Sequence, residues 1–269
     1  MNGLRRVFGF FTILPLSQAG TLRETAEAAY LLPLVGAFLG ALEGLAGWGS
    51  LRLFGQPVAA AVVLAAALLL TGLHHADGLA DLGDALMVHG DAGRRIEVLK
   101  DRTMGIGAAG ALILTCLITW AALLQLLGLA EGNRLAGQFT PAGWSGWHNE
   151  GAWIVAALAA VEIAARLSLF GVAWASRPSH EGSGKIFLET LRGWRNPAGI
   201  LISLAGLTAL ALVLPISALV TAAGAAMVTG LVLAAVGRYR FGGAGGDILG
   251  AAVELGRMAA VLGLIAVFA

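Results

Sequence analysis

Apolar residues in this chain fall into long runs, and polar residues collect in the short gaps between them. A bilayer core takes roughly 20 apolar residues in a helix. Seven runs approach that length: Ala28 to Trp48, Pro57 to Leu73, Gly105 to Leu129, Ala152 to Trp174, Ala198 to Leu214, Ile216 to Val236 and Ile248 to Phe268. The pattern predicts an all-α fold, a polytopic transmembrane bundle of about seven spans in a single domain covering residues 1–269. The second run is short and passes into polar residues, as though its helix continued beyond the hydrocarbon. Only Pro215 parts the fifth and sixth, which predicts a tight helical hairpin. The opening MNGLRRVFGFFTILPLSQAG is broken by Pro15 and has no Ala-x-Ala site, so it reads as an amphipathic helix half-buried at the membrane surface rather than a signal peptide.

Composition agrees with lipid as the surrounding medium, since 58% of residues are hydrophobic and 12% charged, against a globular norm of about 25% charged. The 39 glycines are spread through the runs, as close helix packing through small residues requires. The single Cys116 excludes a disulfide framework or a thiolate metal cage and reads as a small buried hydrophobe. A formal charge of +1 gives no sign of a nucleic-acid partner. The placement of the charges is more informative. With the amino terminus inside, 13 of the 17 Lys and Arg residues fall in cytoplasmic segments, and only Arg52 and Arg134 lie outside. The positive-inside rule then predicts a cytoplasmic amino terminus. Trp48, Trp144, Trp147, Trp153, Trp174 and Trp194 stand near run ends, where they read as interfacial belts.

The segment after the second run, His74 to Gly107, holds Asp77, Asp81, Asp84, Asp91 and Asp101 in a chain that has few acids elsewhere. Spacings of four and three put Asp77, Asp81 and Asp84 within about 40° on one helical face. Like charges stacked that way repel, and a bound cation resolves the repulsion. Oxygen ligands without thiolates favour Mg²⁺ over zinc. Arg94, Arg95, Lys100 and Arg102 follow directly, and bases that hold phosphate beside acids that hold a metal are what phosphoryl transfer uses; as cytoplasmic bases, Arg94 and Arg95 are equally accounted for as topology signals. A solvated acidic helix face is the plain alternative for the acids.

Two Gly-rich pieces are placed to complete a site. Ser179 to Lys185 contains Glu181, and Phe241 to Asp247 leads into the last run, where free backbone N–H groups offer an anion contact. Within the runs, Glu43, Glu162 and Arg166 need partners, and the spacing of four lets Glu162 and Arg166 pair. The site is therefore expected around residues 74–107, 176–196 and 238–254.

His75-Ala76-Asp77-Gly78-Leu79-Ala80-Asp81-Leu82-Gly83-Asp84, with Lys100-Asp101 and Gly105, resembles the adenosylcobinamide-GDP ribazoletransferase (cobalamin synthase) family. FFTILPL near the start, Glu181-Gly182-Ser183-Gly184 with Phe187, and GGDILGAAVELG from Gly245 to Gly256 occur in the family's order, so the resemblance covers nearly the whole chain. It implies an inner (plasma) membrane enzyme of bacteria that joins α-ribazole, or its 5′-phosphate, to adenosylcobinamide-GDP and releases GMP with Mg²⁺. It further implies metal ligands Asp77, Asp81, Asp84 and Asp101, catalytic Asp101 and Asp84, and substrate contacts from His75, Arg94, Arg95, Lys100, Arg102, Glu181, Lys185 and Asp247. Asp101, set apart from the triple, is the first candidate for general base. Self-association and assembly with other enzymes of cobalamin synthesis are left open. The chain departs from the family at Ala85, at Arg102-Thr103 and at Ser179-His180, where Gly, Ser-Arg and Arg-Glu are usual.

Asp81-Leu82-Gly83-Asp84 is distantly similar to the Asp pairs of CDP-alcohol phosphotransferases of lipid synthesis, although the Ala-Arg of that motif is missing. A cation-coupled transporter is the other alternative. It would place its ionisable residues near the midplane of inverted repeats, whereas here the acids gather at one face.

Overall fold

A computed structural model describes residues 2–16, 20–101, 103–131 and 150–269. Arg102, Arg134, Trp144 and Trp147 lie outside the described residues. Twelve α-helices occur in order among those described: α1 (Asn2–Phe11), α2 (Leu22–Glu27), α3 (Leu32–Phe54), α4 (Gln56–Leu70), α5 (His74–Met87), α6 (Ala92–Leu99), α7 (Ile106–Glu131), α8 (Glu150–Ala175), α9 (Ser183–Thr190), α10 (Arg195–Leu210), α11 (Ile216–Phe241) and α12 (Gly246–Ile265). No strand forms among the described residues, and one isolated bridge joins Pro178 to Ala244.

Each of the seven apolar runs is helical, and five helical segments, or six with the bent pair of α4 and α5 counted as one, are long and apolar enough to cross a membrane, in keeping with a polytopic bundle. Five helical segments are long and apolar enough alone: Ala29–Phe54, Ile106–Glu131, Glu150–Ala175, Ile216–Phe241 and Gly246–Phe268. α4 and α10 have 15 and 16 residues, about 22–24 Å of helix against a core of about 30 Å. α4 stops because Gly72 and Leu73 both take φ of 62°. This left-handed pair turns the chain through 91° into α5, which carries the acids. The expected hairpin of α10 and α11 is also corrected. The two helices touch only marginally: α10 packs chiefly on α8, and α11 packs equally on α8 and α12, surfaces that offer more contact than either helix gives the other.

α8 is the axis of the bundle, with 94% of its apolar window buried. Gly36, Gly40 and Gly44 of α3, each four residues from the next, lie against the backbone of Glu162, Leu158 and Val155, where any Cβ would collide. That is small-residue packing of the kind membrane helices use in place of a hydrophobic drive. α11 and α12 approach the same helix at Ser168 through Gly230 and Gly256. Cys116 is only partly buried, short of the expected core position. α1 buries Val7 alone and lays Phe8 on Phe38 and Phe10 and Phe11 on Phe187, the arrangement of a surface-lying amphipathic helix.

Candidate active site

α5 is wedged between α12 and α7. A Cβ on Gly78 would stand 2.7 Å from the Asp247 carbonyl oxygen, and one on Gly83 would stand 2.6 Å from that of Gly107. Glycine at these points brings backbone against backbone, and most of α5 is buried as a result. The stripe left open is Asp77, Asp81 and Asp84, with Asp77 exposed and the other two half-buried. The predicted shared face is therefore present.

Asp84 has a further task. Its Oδ2 accepts from Gly105 N–H at 2.6 Å and its Oδ1 from Ala108 N–H at 2.8 Å. It thus caps α7 from another helix and satisfies amides that would otherwise lack partners. Asp247, in the first turn of α12, joins Asp77 and Asp81. Burial, then Asp77, Asp247 and Asp84, raise the Asp81 carboxyl from the ordinary carboxylate range to about 7. Asp101 is not among these groups. Its Oδ1 accepts from Thr103 N–H at 3.0 Å and Oγ1–H at 2.7 Å, in a turn of its own.

What delivers Asp247 is the meeting of the two Gly-rich pieces. Ala244 N–H donates to Arg177 O at 2.8 Å and Ser179 N–H to Ala244 O at 3.0 Å. Gly243 lies on the backbone of Arg177 to Ser179, and Gly184 lies on Gly245 and Gly246 so closely that no Cβ fits. The His180 ring covers Gly245, with Nδ1 2.8 Å from Ser179 Oγ. Partial burial and the Lys100 ammonium pull the His180 imidazole below its ordinary value, so a neutral ring stands two residues ahead of Asp247. No spacing rule marked His180, because Lys100 just after α6 and Gly245 just before α12 are distant from it in sequence.

The sequence model of the cobalamin-5-phosphate synthase family matches residues 3–265. The chain belongs to that family. A curated relative from Halorubrum lacusprofundi, named adenosylcobinamide-GDP ribazoletransferase, is 32% identical over 97% of this chain and 95% of its own length. One of the same name from Methanosarcina mazei is 28% identical over 95% and 88%. Another, from Saccharolobus solfataricus, is 41% identical over 44% of this chain and 47% of its own. No solved structure matches.

For a cobalamin-5-phosphate synthase, the remaining nominated residues divide sharply. Arg95 is 6% exposed and donates through Nη1 to Ala85 O at 2.9 Å and Leu86 O at 3.2 Å. It caps the carboxyl end of α5, which accounts for a base the charge count alone could not place. Arg94 is exposed and pairs with Glu97 at 2.9 Å. Glu181 and Lys185 pair with each other, Glu181 almost fully in solvent. Lys100 is exposed beside His180. His75, two residues before Asp77 and so about 200° around the helix, faces inward and stacks on Phe11 at 6.2 Å. Burial first, then Arg166 and Arg257, hold it well below its ordinary value.

Among the described residues no three His, Cys, Asp or Glu side chains form a ready cage for a metal ion. Asp77, Asp81 and Asp247 nonetheless offer hard oxygen donors in mutual repulsion. That donor set suits a cation that completes its shell with water and substrate oxygens.

Proposed function

We propose that the chain joins α-ribazole, or its 5′-phosphate, to adenosylcobinamide-GDP and releases GMP, using Mg²⁺ held chiefly by Asp77, Asp81 and Asp247. The observation that carries this reading is the convergence of Asp247 from α12 on the Asp77 and Asp81 stripe of α5, reflected in the raised Asp81 carboxyl. The full-length relatives named for this reaction support the choice of substrates. The clustering of Lys and Arg supports a cytoplasmic amino terminus and a site on the cytoplasmic face of the plasma membrane.

Each part of the site has a task. Mg²⁺, when bound, supplies neutralisation of the diphosphate charge. Asp84 ties α5 to α7 and so fixes the carboxylate stripe. The first amides of α12, the His180 ring above Gly245 and the Lys100 ammonium face the phosphate oxygens. A ribose hydroxyl attacks the phosphorus on the cobinamide side, the bond from that phosphorus to the bridging oxygen breaks, and GMP leaves with that oxygen. Asp101, exposed at the end of α6, is the candidate acceptor of the hydroxyl proton.

The test is GMP release by purified protein in liposomes from both substrates, with and without Mg²⁺. Asp81→Asn and Asp247→Asn are each expected to lower turnover by about 10²-fold or more. Wild-type turnover in both would end the metal assignment, and folded protein that makes no GMP with any divalent cation would end the reaction. A phosphatase fused at Gly90 and active outside the cell would overturn the orientation.

A further inference from the structure

Two to three turns along α12 from Asp247, about 10–15 Å, the bundle buries five charged side chains together. Glu43 of α3, Glu162 and Arg166 of α8, and Glu254 and Arg257 of α12 are each 5% exposed or less. Arg257 donates to Glu162 and to Glu254, and Arg166 donates to Glu162. These two guanidiniums and two carboxylates cancel. Glu43 is the carboxyl outside these ion pairs, and among the described residues its Oε1, like Glu254 Oε1 and Arg166 Nε, has no hydrogen-bond partner.

Glu43 also lines a cavity with about 10 Å³ of room for the centre of a water molecule, enough for one. Val63 and Ala67 of α4, Leu123 of α7 and Val161 of α8 form apolar walls, and Thr119 and Arg257 are the other polar residues on it. An ionised Glu43 would leave one unbalanced negative charge where lipid and apolar side chains screen nothing. A metal cation in the cavity would meet the Arg257 guanidinium. A neutral acid meets neither difficulty.

We propose that Glu43 is a proton-binding site of the spanning bundle: its carboxyl carries one exchangeable proton and donates it to a single water in the adjoining cavity. The groups facing it are Glu162 and Arg166 from α8 and Glu254 and Arg257 from α12. α4 presents only apolar residues to the cavity. Cys116 of α7 lies within electrostatic reach of Glu254 and Arg257, and His75 of α5 within reach of Arg166 and Arg257.

The site stands apart from the reaction, so its test does not depend on turnover. Infrared spectra of the full chain in liposomes, at neutral pH with Mg²⁺ present, are expected to contain a protonated-carboxyl band. That band should shift on deuteration and be lost in Glu43→Gln, because Gln is the uncharged isostere. The melting temperature of Glu43→Gln should equal that of the wild type at every Na⁺ concentration. The proposal is overturned if Glu43→Gln removes no such band, or if it fails to fold, which would show that the negative charge is needed. Stabilisation of the wild type but not the variant by Na⁺ would overturn it too, as the mark of a cation site.

Discussion

The contact between Gly78 and Asp247 makes a demand that can be measured without touching a substrate-binding side chain. A Cβ added at Gly78 would lie 2.7 Å from the Asp247 carbonyl oxygen and 2.9 Å from its Cα. Ordinary contact begins near 3.4 Å, so α5 and α12 must separate by about 0.7 Å. Both sides of the contact are backbone, and no rotamer change relieves it. The separation moves Asp247 from Asp77 and Asp81 directly. Overpacking costs about 1–3 kcal/mol, partly offset by the gain of about 1 kcal/mol when Ala replaces Gly in a helix. The net cost is then about 0–2 kcal/mol, so Gly78→Ala should stay folded with a melting temperature lowered by a few degrees at most for each kcal/mol. Misplacement of a reacting group by about 1 Å costs about 10²-fold in rate, so GMP release should fall roughly 10- to 100-fold. Gly110→Ala in α7, where an added Cβ meets nothing within 4 Å, is the control and should keep full activity. If Gly78→Ala retained wild-type turnover and stability, the α5–α12 contact would not set the site.

Three further expectations follow from the same geometry. The folded state holds the Asp81 carboxyl near 7, above its unfolded value of 3.8, so folded protein binds the extra proton and stability is lost as pH rises between those values; in chelator the melting temperature should fall over that window, Mg²⁺ should restore it, and an unchanged fall in Asp81→Asn would refute the assignment. His180 behaves oppositely: its value is depressed below 6.5, so the neutral ring's contribution is whole above 6.5 and disappears as pH drops through the folded value, and His180→Gln should flatten that acid limb of the melting profile. Arg95→Ala should cost about 1–3 kcal/mol by leaving the Ala85 and Leu86 carbonyls unpaired, with KM for adenosylcobinamide-GDP unchanged; a raised KM at unaltered melting temperature would make Arg95 a phosphate contact instead.

The seven helices were legible because an apolar run long enough for a bilayer has few other solutions. The point where the second run turns was not, and the reason is local. Leu73 gives no sequence sign of a left-handed φ, yet it and Gly72 end α4 and swing α5 across its end. The Pro215 hairpin failed for a different reason. Chain proximity at a turn says where two helices meet, whereas their packing follows the best surface available, which α10 finds on α8 and α11 on α8 and α12.

The site divides along the same line between local and distant information. Periodicity alone put Asp77, Asp81 and Asp84 on one face, because all three belong to one helix. It could not separate Asp84, whose oxygens are claimed by amides 21 and 24 residues further on, or recognise Arg95 as a cap for α5. Nor could it move Asp247 from a phosphate-contact role toward the carboxylates. That assignment depends on glycines whose contact partners the sequence does not name: Gly78 beneath Asp247, and Gly184 and Gly243 where two loops interlock. In this membrane fold the glycines at Gly36, Gly40, Gly78, Gly83, Gly184 and Gly243 mark where two backbones touch. The acids that gather at one point are therefore better found by asking which glycines face one another than by counting carboxylates along the chain.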